Sequence, residues 1–224
     1  MTNRPEYKAF ERELPTGYEL AYRLDARKIK PAVYLSLASL LLTAVPFVIS
    51  WLTVFAIFEK AFTEDGSDCA MACLVGFGIG MLAFLPITVV HELIHGWAYR
   101  KKTGEKPTFG ISWSCAFCGV PNIYTYRRVA AFALLAPMVI ISAFTLGGAI
   151  LSLSLVPLFS VTSGACEVLF FIGGTLLSLF SFHFGGCVGD GYMAILFFTK
   201  YRDNETLVRD TGPEQFIYVP SREN

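Results

Sequence analysis

Apolar positions along the chain gather into four long blocks separated by polar connectors. The blocks run 31–58, 69–99, 129–156 and 165–200. Each is long enough to cross a hydrocarbon core of about 30 Å as a helix, with some tilt. Proline lies inside the first three. Pro46 is expected to kink the first block and Pro86 to loosen the second just ahead of its polar end, while Pro137 lies in the third. The fourth is interrupted by Gly185-Gly186-Cys187-Val188-Gly189-Asp190-Gly191, whose glycines predict that the helix unwinds there. Non-helical backbone at membrane depth is tolerated only where it is buried or lines a cavity. Gly76, Gly78 and Gly80 in the second block allow close helix approach.

The connectors carry weaker signals. Residues 1–30 are polar. Leu14-Pro15-Thr16-Gly17-Tyr18 reads as a turn into a short amphipathic piece, 18–24, expected to lie along the membrane surface. Residues 107–113 and 116–126 hold β-branched and aromatic side chains around a Ser-Cys turn, the pattern of a β-hairpin. The tail, 201–224, is polar, with a short strand expected at 214–219. The fold class read from this pattern is an all-α integral membrane protein. It has four transmembrane helices, a small β-hairpin between the second and third, and a glycine-broken fourth span, all in a single domain over 1–224.

Composition strengthens the membrane reading. Hydrophobic residues make up 54% of the chain and charged residues 16%, against about 25% charged in soluble domains. A net charge of zero offers no argument for a nucleic-acid partner. The expected partners are the lipid bilayer and a membrane-protein or peptide substrate. The first 30 residues lack the short apolar core and small-residue cleavage site of a signal peptide, so the first block is expected to stay in the mature chain. The placement of charge gives an orientation. Lysine and arginine crowd 1–30, 100–128 and 200–224, whereas 59–68 and 157–164 hold only Lys60. Four spans with both termini in the cytoplasm satisfy the positive-inside rule at every loop.

The polar end of the second block reads His91-Glu92-Leu93-Ile94-His95, and the chain has only three histidines. On a helix the two imidazoles stand one turn apart on one face. That spacing can hold one Zn²⁺, with Glu92 placed to act as general base on a zinc-activated water. Ionisable groups within an apolar span are costly unless they have a task. Catalytic zinc usually takes three protein ligands, so a third is needed. His91 lies nine residues before Arg100, about 13 Å of helical rise, and Asp190 ten before Lys200, about 15 Å. Counted from these two basic ends, Asp190 comes to the level of the histidines. Glu167 falls about 30 Å or more away at the opposite face. His183 remains open as an alternative third ligand or as a residue beside the metal, and Cys187 as a soft ligand. Cys115 and Cys118 form a lone CxxC without the second pair that a structural zinc requires, and read as reduced thiols. A disulfide among Cys69, Cys73 and Cys166 stays open.

These residues resemble a family. HELIH near the cytoplasmic end of a span, with Asp190-Gly191 in a later glycine-broken span, is similar to site-2 protease type intramembrane zinc metalloproteases. The chain looks still more like an uncharacterised bacterial and archaeal group of membrane zincin peptidases. That likeness extends to Leu14–Tyr18 with Asp25, to Arg128 with Ala136-Pro137, and to 210–219. The resemblance implies zinc held by His91, His95 and Asp190, Glu92 as base, and hydrolysis of peptide bonds in membrane-associated substrates. The Asn-x-x-Pro run that site-2 proteases usually carry before Asp-Gly is absent. Ser181-Phe182-His183-Phe184-Gly185-Gly186 stands there, with His183 as the candidate substitute. Two other readings use the same cluster: a membrane protein that binds or transports a metal ion without hydrolysis, and an inactive scaffold that binds transmembrane helices.

Overall fold

A computed structural model describes residues 8–59, 67–113, 115–160 and 162–221. Most of the acidic connector 59–68 lies outside them. All four apolar blocks are helical: α1 (Ile29–Ile57), α2 (Ser67–Thr103), α3 (Arg127–Leu155) and α4 (Gly164–Gly186), the last followed by α5 (Val188–Thr199). Helix accounts for 65% of the described residues. Among the described residues, four helices are long and apolar enough to cross a membrane. Their ends follow local chemistry. Arg100, Lys101 and Lys102 occupy the last turn of α2, where cations oppose the negative end of the helix. Gly104 then takes a left-handed conformation, φ 74°, that closes the helix. At the start of α4 the Ser163 hydroxyl accepts from the Cys166 N–H, with Glu167 in the first turn.

The chain is not all-α. Besides the expected hairpin it has a second, five-stranded sheet. The hairpin is β3 (Thr108–Ile111) against β4 (Ala116–Gly119), antiparallel. The larger sheet joins β1 (Phe10–Glu11), β2 (Tyr18–Asp25), β5 (Tyr124–Tyr126), β6 (Leu207–Asp210) and β7 (Glu214–Pro220) in the order β1-β5-β6-β7-β2. The structure revises three expectations. Residues 18–24, expected as a short amphipathic piece, are a strand: Tyr22 and Leu24 turn to a packed core while Arg23 faces Glu214 on the opposite side. Eight residues of such alternation are decided by a partner, and β7 supplies it from Tyr18↔Pro220 to Asp25↔Glu214. Second, the predicted strand 116–126 divides. Its first part pairs with β3 and its last three residues pair with β1 and β6. Third, the glycine run does not unwind. Cys187 alone is non-helical, and its N–H still reaches His183 O at 3.1 Å. Gly185 lies where a Cβ would collide with the backbone of α1 at Ser39 and Thr43. That glycine serves close packing rather than unwinding. The strand expected at 214–219 is β7.

The chain divides into two compact units. One comprises Met1–Leu35, Val90–Pro137 and Gly189–Asn224. In it the larger sheet packs Val208 and Ile217 against Ala130, Ala131 and Leu134 of α3 and Met193 and Phe197 of α5. A second core joins Ala98 and Tyr99 of α2 to Val120, Ile123, Ala133 and Ala136. The other unit comprises Ser36–Val89 and Met138–Val188. There α2 and α4 touch backbone to backbone. A Cβ on Gly76 would meet the Phe171 carbonyl, and one on Gly174 would lie 2.6 Å from Cys73 O. Ser178 donates to Phe77 O at 2.8 Å along the same seam.

Candidate metal centre

α2 delivers His91 and His95 to one face, one turn apart, and the first turn of α5 delivers Asp190. All three belong to the first unit. His91 Nε2 lies 3.1 Å from Asp190 Oδ2 and 2.9 Å from His95 Nε2. His95 Nε2 is 3.3 Å from the same carboxylate oxygen. The rings stand nearly perpendicular, at 81°. His91 is 9% exposed and His95 5%. Three donor atoms from three chain positions thus converge on one point shielded from water. These donors are close enough to share an ion.

The orientation of His95 tests whether the set suits a metal. Its Nδ1 lies 2.8 Å from the Ala133 carbonyl. A carbonyl only accepts, so Nδ1 carries the proton. In a neutral ring the lone pair then sits on Nε2, facing His91 and Asp190. Ligating imidazoles are held this way, with the second nitrogen donating to a fixed acceptor. Two imidazole nitrogens and one carboxylate oxygen form a donor set that zinc takes in catalytic sites. The residues fit the ion.

Glu92, on the same turn as His91, is half-buried. His183 is buried on α4 in the second unit, its Nε2 3.6 Å from Cys187 Sγ. The donor group completed within the first unit contains Asp190. Glu167 remains in the first turn of α4. In the hairpin, Cys118 is 6% exposed, and burial raises its thiol pKa well above the usual range. It is a poor nucleophile and a poor redox group.

Two contributors around the site were given no role there by the sequence. The Ala133 carbonyl is one, since backbone acceptors carry no sequence mark. The other is Asp210 in β6. Tyr99, one turn past His95, donates its hydroxyl to Asp210 Oδ2 at 2.7 Å, and both residues are buried. Gly212 N–H donates to Asp210 Oδ1 at 2.9 Å. Burial pushes the Asp210 carboxyl up to about 6, even against these donors. A tyrosine four residues after the second histidine, and an Asp-x-Gly ending, were the available signals.

The fold and the site define a membrane-type helical protein carrying a buried His–His–Asp donor cluster. The chain belongs to the family described as putative zincin peptidases, whose model matches residues 84–204, more than half of it. Membership implies a metallopeptidase and, as its metal, zinc. No curated protein and no solved structure matches the chain.

Proposed function

We propose that this chain is a membrane-embedded zinc endopeptidase of the HExxH type that hydrolyses peptide bonds of membrane-associated substrates. The observation that carries the reading is the convergence of His91, His95 and Asp190, with the His95 lone pair aimed inward. These three residues would hold the ion. Zinc bound there supplies Lewis acidity, lowering the pKa of water and polarising a carbonyl. The Glu92 carboxylate takes the proton of the attacking water and later passes it to the leaving amine. Burial of the cluster keeps bulk water from competing for these groups.

The basic residues after α2 and in the tail favour an orientation with both termini and the site toward the cytoplasm of a cell membrane. The β3–β4 hairpin lies beside the motif: the Phe109 ring fills the space where a Cβ on Gly96, next to His95, would sit. Ile111 is 86% exposed and Trp113 72%. Among the described residues β3 pairs only with β4. An extended substrate segment, unwound from its helix, adds as a strand along that open edge.

Glu92→Gln keeps shape and removes the base. Purified in detergent and assayed on a transmembrane substrate, it is expected to lose about 10²–10⁴-fold in cleavage rate while keeping its zinc. Undiminished cleavage would sink the assignment.

A further inference from the structure

We propose that Pro137 is a positioning residue of the metal centre, acting through the Ala133 carbonyl on His95. In an unbroken α-helix the carbonyl of residue 133 accepts the N–H of residue 137, four positions on. Residue 137 is a proline inside α3, and proline has no N–H to give. Ala133 is fully buried, so bulk water cannot take the missing place. A buried carbonyl left without a donor is costly. His95 Nδ1 occupies that position, at 2.8 Å.

The consequence reaches the site. Because the acceptor is a carbonyl, His95 must present Nδ1–H to keep the bond, and the lone pair is confined to Nε2. Nε2 is the atom that faces His91 Nε2 at 2.9 Å and Asp190 Oδ2 at 3.3 Å. A ring flip would break the bond to Ala133 and turn carbon toward the cluster, and the other tautomer would break it and turn an N–H there. The helix ladder of α3 thus contains a designed gap, and the gap fits one imidazole N–H. Restoring an N–H at 137 lets the backbone claim the carbonyl and frees the ring. This inference rests on the reading of His91, His95 and Asp190 as ligands.

The test compares Pro137→Ala with wild type and with Pro46→Ala, a proline inside α1. All are full chains in detergent. Zinc affinity is read by competition with a chromophoric chelator. The tautomer of His95 is read by ¹⁵N NMR of the zinc-free protein, its signal assigned by loss in His95→Gln. Pro137→Ala is expected to bind zinc about tenfold more weakly, the lower end of what outer hydrogen-bond partners of ligands carry. Its His95 signal should move from the Nδ1–H form toward a mixture. Its metal-free unfolding temperature should not fall, because alanine is the better helix former. Pro46→Ala should keep wild-type zinc affinity.

An unchanged zinc affinity or an unchanged His95 tautomer in Pro137→Ala overturns the proposal. So does equal weakening in Pro46→Ala. If Pro137→Ala does not fold, the wild type still decides: a His95 in the metal-free chain with no proton on Nδ1 overturns it. If wild type binds no zinc, the metallopeptidase reading fails, and the tautomer comparison still judges the role of Pro137.

Discussion

Tyr99 and Asp210 tie the helix that carries the two histidines to the larger sheet through one buried hydrogen bond. The pair has a pH signature. Burial raises the Asp210 carboxyl to about 6, above the 3.8 of an unperturbed aspartate. Between those values the folded chain holds a proton that the unfolded chain has released. Folding stability therefore rises as pH falls from about 6 toward 4, and is flat above the folded value. Asp210→Asn is neutral throughout and still accepts from Tyr99. Zinc-free wild type should gain unfolding temperature between pH 7 and pH 5, and Asp210→Asn should gain less. Identical slopes for the two proteins would exclude this assignment. His95 shows the same residue-scale logic in its geometry, since one hydrogen bond decides which nitrogen faces the cluster.

At the scale of elements, α2 and α4 run in the same direction with their backbones in contact. The pairs Cys69 with Cys166, Gly76 with Phe171 and Gly80 with Ser178 all advance together. Small residues permit this approach, and dispersion and hydrogen bonding hold it where lipid offers no hydrophobic drive. The seam begins with two thiols, Cys69 and Cys166, whose sulfurs lie 3.3 Å apart and whose side chains are fully buried. Mild oxidation of the purified protein should link Cys69 to Cys166. Peptide mapping should find that link persisting in Cys73→Ser and lost in Cys69→Ser. A dominant Cys73 linkage would show that the register differs. A bulky side chain at Gly174, such as Gly174→Leu, would force the helices apart against the Cys73 carbonyl and should lower the unfolding temperature by several degrees.

Across the whole molecule, the first unit is assembled from three separated parts of the chain. Residues near the start (β1, β2), the middle (β5) and the end (β6, β7) form one sheet, which packs on α3 and α5, the helices that supply the Ala133 carbonyl and Asp190. Ligand geometry therefore depends on the terminal segments as well as on the helices. Under the proposed function the chain holds one zinc and moves none. Metal analysis should give about one zinc per chain, lost in His91→Ala and Asp190→Ala, and proteoliposomes should show no zinc flux. Zinc transport across the vesicle would instead favour a carrier.

The amino-acid sequence by itself determined the four helices, because twenty or more consecutive apolar residues leave the backbone no other way to satisfy its hydrogen bonds in lipid. It also determined His91, Glu92 and His95 as a unit, because helical periodicity makes a five-residue motif a local geometry. Asp190 was reachable by counting residues from the charged ends of the spans. Tertiary structure alone decided the rest. Of the larger sheet, β7 and the stretch holding β5 were legible, but their assembly with β1, β2 and β6 was not, since such strands exist only through their partners, as β2 does through β7. The glycines after His183 read as an unwound stretch, yet Gly185 serves close contact with α1 and the chain there is helical but for Cys187. The orientation of His95 depends on a carbonyl 38 residues away. Pro137 was visible from the start, but the missing N–H gains meaning only when a histidine from another helix is folded against the gap.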